Sequence, residues 1–218
     1  MSLKKSDKII ALIGVLIIVV AGIAIVYFAI NQKKSEPTGP TTTTYNVIWT
    51  EDSGQMKLTG LNVQKGEPFT KPFNVIADEK PGSILTSVSI KISWKDHNTF
   101  GLKGTKGLDI LKVTITPEGE KTSKPYEGTG SGENETIGSF SINTIPDIRE
   151  VKAATYDEAQ DSVYNNCTGK DSASFNLDAS IEIGEPAWRL FKAKKDTGND
   201  FSLIITYTYY YPEIENPE

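Results

Sequence analysis

One cysteine and one histidine occur in 218 residues, and that scarcity excludes several classes of chemistry. Cys167 has no second thiol to pair with, so an internal disulfide is ruled out, whereas small exported domains commonly carry several. His97 has no His or Cys companion, which removes the usual zinc sites. With Asp96 adjacent in sequence rather than across a cleft, His97 also forms no recognisable triad. No Gly-x-Ser-x-Gly, His-Glu-x-x-His or phosphate-loop pattern is present. Gly128, Gly130 and Gly132 lack a strand-to-helix frame, and the third glycine is misplaced for dinucleotide binding. Positive charge is also short: 23 basic residues face 28 acidic ones, a formal net charge of −5. Lys4, Lys5, Lys8, Lys33 and Lys34 precede Tyr45, so the remainder is more acidic still. Such a surface disfavours nucleic acid and anionic headgroups. Together these absences point away from an enzyme.

Charge is missing altogether from Ile9 to Ile30 (IIALIGVLIIVVAGIAIVYFAI). At ~1.5 Å per residue a helix of that length matches the roughly 30 Å hydrocarbon core of a bilayer, and in lipid a single segment satisfies its backbone only as a helix. The run exceeds the about 7–15 apolar residues of a cleaved signal peptide, and bulky residues occupy the natural cut near Tyr27-Phe28. An uncleaved, single-pass signal anchor is therefore expected at residues 9–30, held by membrane lipid, with residues 1–8 cytoplasmic under the positive-inside rule. Residues 31–44 (NQKKSEPTGPTTTT) read as a Pro/Thr-rich stalk. Asn134-Glu-Thr136 and Asn166-Cys-Thr168 match the N-glycosylation sequon, which has meaning only on a translocated domain. The expected location is the cell membrane, with the C-terminal domain outside the cell or pseudoperiplasmic. The lack of disulfides and the Ile-, Lys- and Glu-rich texture suggest an archaeal surface protein.

From Tyr45 to Pro212 the chain is dominated by period-two alternation, the mark of strands with one buried face. Ile84, Thr86, Val88, Ile90, Ile92 and Trp94 alternate with Ser87, Ser89, Lys91 and Ser93. Phe175, Leu177, Ala179, Ile181 and Ile183 repeat the pattern, as do Leu111, Val113 and Ile115; Phe140 and Ile142; Tyr45, Val47 and Trp49; and Phe201, Leu203, Ile205 and Tyr207. This predicts an all-β, antiparallel sandwich of jelly-roll or immunoglobulin-like type over residues 45–212, with an acidic tail at 213–218. Asp147 to Gln160 breaks the pattern. There a capping box of Asp147 and Glu150 can start a short helix with Ile148, Val151, Thr155 and Ala159 on one face, and an irregular loop competes with it. Tyr126 to Glu135 (YEGTGSGENE) reads as a mobile loop.

The segments Val88-Ser-Ile-Lys-Ile-Ser-Trp-Lys-Asp96 and Asp109-Ile-Leu-Lys-Val-Thr-Ile-Thr-Pro117-Glu-Gly119, with Trp188-Arg-Leu190 and Asp196-Thr-Gly-Asn-Asp-Phe-Ser-Leu203, resemble the P domain, the jelly-roll accessory module of proprotein convertases and related bacterial proteases. The resemblance covers about a third of the region after the stalk. It implies a non-catalytic jelly roll with a calcium role, since no protease motif accompanies it.

Two features carry candidate chemistry. Asp196-Thr-Gly-Asn199-Asp200 gathers short oxygen-bearing side chains around a glycine, a turn able to supply several of the six to eight oxygens calcium takes, with Asp109 or Asp96 as remote partners. The same residues are also those of an ordinary turn. Tyr207, Tyr209 and Tyr211 lie on one face of the last strand, either completing the core or forming a contact platform for a sugar or a protein. The expected function is a non-enzymatic, membrane-anchored surface protein whose sandwich serves as a binding or adhesion module, or as an accessory subunit of an envelope complex, with a protein or glycan partner outside the cell. The alternatives are a pilin-like or archaellum-stator-like subunit, and a calcium-dependent carbohydrate-binding or hydrolytic domain. No other cofactor is expected.

Overall fold

A computed structural model describes residues 42–77, 80–96, 107–120, 125–184 and 196–216. The expected span at 9–30, the stalk up to residue 41, His97 and Trp188 lie outside the described residues. Among the described residues no helix is long and apolar enough to cross a membrane.

The described chain forms nine strands and one helix. In order they are β1 (Thr43–Gln64), β2 (Phe69–Ile76), β3 (Ile84–Lys95), β4 (Ile110–Pro117), β5 (Tyr126–Thr129), β6 (Ser131–Ser141), β7 (Glu150–Ala153), α1 (Tyr156–Asn165), β8 (Ser172–Glu182) and β9 (Gly198–Glu215). Two antiparallel sheets result, a five-stranded one in the order β6-β3-β9-β1-β7 and a four-stranded one in the order β2-β8-β4-β5. The pairings nest: β1 with β9, β2 with β8, β3 with β6, and β4 with β5. The all-β antiparallel sandwich read from the alternation is what the chain builds.

Alternation explains the core directly. Val88, Ile90, Ile92 and Trp94 of β3 and Phe201, Leu203 and Ile205 of β9 face Leu111, Val113 and Ile115 of β4 and Phe175, Leu177, Ala179 and Ile181 of β8, all of them buried in one cluster. Phe73 stacks on Phe175 at 5.4 Å between ring centres, and Phe140 packs on the same ring at 5.3 Å. Fully burying side chains of this size contributes about 1.5–3 kcal/mol each.

Two expectations are corrected. Asp147 and Glu150 do not open a helix, because residues 150–153 pair with Thr43–Asn46 as β7. The helix begins later, where Thr155 caps it: its hydroxyl accepts from Glu158 N–H at 3.2 Å, and the Glu158 carboxylate accepts from Ala154 N–H at 2.9 Å. The hydroxyl and carboxylate that cap the helix are Thr155 and Glu158, eight residues further on than the expected Asp147 and Glu150. Tyr126 to Glu135 is strand rather than mobile loop. Gly130, at φ +76°, makes the turn between β5 and β6, and the Trp94 indole N–H donates to the Tyr126 hydroxyl at 3.2 Å, pinning β5 over β3.

Candidate cation site at one end of the sandwich

Three carboxylates meet where β3 ends, β4 begins and the chain enters β9. One oxygen each of Asp96, Asp109 and Asp196 lies within 4.8 Å of the others. The side chains are 3 %, 0 % and 7 % exposed, so this is an interior cluster and not a solvated acidic patch. The strand pattern places them. Asp96 continues the inward parity of Ile92 and Trp94, Asp109 precedes that of Leu111 and Val113, and Asn199 sits on the parity of Phe201 and Leu203 opposite the buried Val63. Each carries the core face of a strand past its apolar end.

The backbone braces the cluster. Asp96 Oδ2 accepts from the Asp109 N–H at 2.9 Å, Asp109 Oδ1 from the Gly184 N–H at 2.9 Å, and Asp109 Oδ2 from the Asn199 amide at 2.9 Å. Gly130 links the two strands from behind, accepting from Asp96 N–H and donating to the Asp109 carbonyl, both at 2.9 Å. The glycines here are required by close approach: a Cβ on Gly184 would lie 2.1 Å from the Leu108 carbonyl oxygen, and one on Gly198 would lie 2.1 Å from that of Val63. Burial pushes the Asp109 carboxyl up to about 6, and the negative charges of Asp196 and Asp96 push the same way, against the hydrogen bonds from Gly184 and Asn199. Stacked carboxylates that are costly to ionise together form an oxygen donor set of the kind hard cations take. Asp96, Asp109 and Asp196 are the residues that would hold calcium, with Asn199 bracing Asp109 beside them.

The expected loop set is therefore divided. Asp196 and Asn199 join the cluster, whereas Asp200 does not: it has the opposite parity, is exposed, and accepts from the Asn62 amide at 2.8 Å across to β1. Asp96 and Asp109, named as remote partners, are central.

Of the tyrosines on one face of β9, Tyr209 is packed in the core and the other two are half-buried beside it. Tyr209 is 1 % exposed, and Tyr207 and Tyr211 are partly buried against the main cluster. The Lys80 ammonium sits 3.8 Å above the Tyr211 ring and 3.3 Å from Asp52. Cys167 is buried, and its thiol donates to the Val163 carbonyl at 3.3 Å. Burial raises its pKa, which disfavours the thiolate. Asn134 and Asn166 are both exposed, at the irregular part of β6 and the C-cap of α1.

On the opposite parity of β1, β3 and β9, Ser53, Gln55, Ser87, Ser89, Thr206 and Thr208 line a shallow groove. Gly54 and the Tyr207 ring complete the lining, and no carboxylate, amine or imidazole enters it.

No protein-family model and no curated protein sequence matches the chain. A chain in the cryo-EM structure of Broad Bean Stain Virus is similar over 85 % of this chain and 96 % of that one, at 9 % identity and a TM-score of 0.32. That likeness is too slight to bear on fold or role.

Proposed function

We propose that the protein is a non-enzymatic surface module, held in the cell membrane by residues 9–30 with its sandwich outside, that binds a neutral polar partner such as a glycan. The observation that carries this reading is the hydroxyl-lined groove on the outer face of β1, β3 and β9. Its side chains can donate and accept hydrogen bonds in a regular array along the pleat but cannot transfer protons at neutral pH. Hydroxyl-bearing partners such as glycans match that inventory, and the acidic remainder of the surface disfavours anionic ones. The nested pairing of β1–β9, β2–β8, β3–β6 and β4–β5 is the connectivity of a jelly roll, a scaffold that holds such sheet faces rigid.

Two experiments test it. The protein is expected to stay in the membrane fraction through alkaline carbonate washing, and release by that wash refutes the anchor. On an array of neutral glycans the solubilised full chain is expected to show retention that Thr206→Arg abolishes without changing the melting temperature. Retention equal in wild type and variant, or no retention of either, refutes the groove.

A second reading concerns the carboxylate cluster, favoured by the convergence of Asp96, Asp109, Asp196 and Asn199 from three separate parts of the chain. In it the cluster takes a calcium ion that braces the end of the sandwich. A ligand bound only by the folded chain raises its melting temperature, so addition of calcium after chelation is expected to raise it, and an unchanged melting temperature refutes this reading.

A further inference from the structure

A sandwich of two open sheets has four edge strands, and exposed edges invite further strand pairing. Three of the four here are blunted. The strand β2 carries Pro72 in its middle, β5 is four residues long, and β6 is broken by Asn134 at φ 53° and by two register shifts against β3. The fourth, β7, is also only four residues long, so most of the outer side of β1 behind it is left as an edge. The strand β1 is 22 residues long and contains no proline, yet β7 covers only Thr43–Asn46 of its outer side.

The geometry points to self-association along this edge: we propose that β1 pairs antiparallel with β1 of a second copy, about a two-fold axis at Gly54. Backbone direction sets the first constraint. Val47 N–H points away from β9, donating to the Arg149 carbonyl at 2.8 Å. Strand alternation then directs the N–H and C=O groups of Glu51, Ser53, Gln55 and Lys57 to the same side. The Ser53 N–H agrees, since it is met by the Asp52 carboxylate at 2.8 Å and not by β9. Edge-facing residues must oppose edge-facing residues, so the axis falls at a single residue.

Length sets the second constraint. The Trp49 indole donates to the Ile148 carbonyl at 3.0 Å, which brings the chain before β7 alongside Trp49. At the other end the register shift between Leu58 and Leu61, with Gly60 at φ +69°, interrupts the strand. Among the described residues the regular uncovered stretch is Thr50 to Leu58, whose midpoint is Gly54.

Charge selects the same register independently. Centred on Gly54, Glu51 of each copy lies opposite Lys57 of the other, and Ser53 lies opposite Gln55. A shift of the axis by one position sets Glu51 against Gln55 or Thr59 and leaves both charges without a counterpart. All four side chains are exposed, and they sit on the face that bears the hydroxyl-lined groove, so pairing would bring the grooves of both copies onto one continuous sheet. Opposed charges across a strand pair are favourable and like charges are unfavourable. In the dimer the Gln55 carbonyl of the partner replaces the Asp52 carboxylate at the Ser53 N–H, and Asp52 keeps its Lys80 partner.

The test uses the full chain in detergent, with mass measured by light scattering across a dilution series. A dimer is expected, with Lys57→Glu weakening it by roughly tenfold because two attractions become two repulsions, and with Glu51→Lys plus Lys57→Glu restoring it. Under mild oxidation, copies carrying Ser53→Cys mixed with copies carrying Gln55→Cys are expected to cross-link faster than either variant alone; Cys167 is buried and does not compete. A monomer at every concentration overturns the proposal. So does a dimer indifferent to Lys57→Glu, or one that the charge exchange does not restore.

Discussion

Replacing Asp109 by asparagine separates what the carboxylate cluster costs the folded chain from what it can bind. A carboxyl moved from the usual 3.8 up to about 6 is disfavoured as an anion by about 3 kcal/mol, taking ~1.4 kcal/mol for each factor of ten. Because the folded-state value is the raised one, the folded chain holds its proton more tightly than the unfolded chain. This contribution favours folding fully below pH ~4, declines as pH rises toward ~6, and is constant above. Asparagine removes the charge while its amide oxygen keeps the Gly184 N–H. Its NH2 group then meets the Asn199 amide, which must turn over, at a cost of about 1 kcal/mol. In chelator at pH 7 the variant is therefore expected to be more stable than wild type by about 2 kcal/mol. At pH 4 that advantage should be gone.

Calcium should invert the order. A hundredfold excess over the dissociation constant adds about 2.7 kcal/mol to a chain that binds only when folded, and the variant lacks the central carboxylate. The assay is urea unfolding followed by tryptophan fluorescence, at pH 4, 5, 6 and 7, in chelator and in calcium. If Asp109→Asn is less stable than wild type at pH 7 in chelator, with an unchanged pH profile, burial and the neighbouring carboxylates do not hold the Asp109 carboxyl up, and this reasoning fails. An equal gain from calcium in both proteins removes the cation from this site.

Other perturbations read different parts of the fold. Gly184→Ala forces a Cβ onto the Leu108 carbonyl and should lower stability by about 1–3 kcal/mol, seen as a lower urea midpoint; an unchanged midpoint means the approach of β8 to residue 108 is looser than described. Leu203→Ala, at a position with 0 % exposure, should cost about 2–5 kcal/mol in the same assay, and a loss under 1 kcal/mol would place Leu203 outside the core. Cys167 should resist maleimide in the native protein and react once unfolded, and fast native labelling would contradict its burial.

Much of the fold was legible because one rule, alternation, applies residue by residue. The inward sets of β3, β4, β8 and β9 follow from it without knowledge of which strands pair. The same rule explains the two places where the reading failed. Tyr126 to Glu135 reads as a loop because its glycines and charges dilute the apolar signal, yet an edge strand needs only one half-buried face, and Tyr126 and Ile137 supply it. Asp147 and Glu150 have the spacing of a capping box, as Thr155 and Glu158 do, and spacing cannot tell which pair the helix uses. What decides is that residues 150–153 find a strand partner in Thr43–Asn46, a contact across about a hundred residues.

The candidate site was half legible for a related reason. Asp196 and Asn199 stand out as turn residues, but turn chemistry says nothing about direction and selects Asp200 equally. Parity would have excluded it: with Phe201 inward, Asp200 must face out, and it does. Extended past strand ends, the same parity marks Asp96 beyond Trp94 and Asp109 before Leu111 as carboxylates aimed along the core face. A charged residue in that position is costly to bury unless something pairs with it, so its occurrence at adjoining strand ends is a signal that one sequence can carry. Which ends adjoin it cannot say, because the nested pairing that brings residues 96, 109, 196 and 199 together is a property of the closed sandwich. The free edge of β1 was hidden for the converse reason. Strand patterns reveal which side chains face inward, but an edge is defined by the neighbour a strand lacks, and only the complete sheet order exposes it.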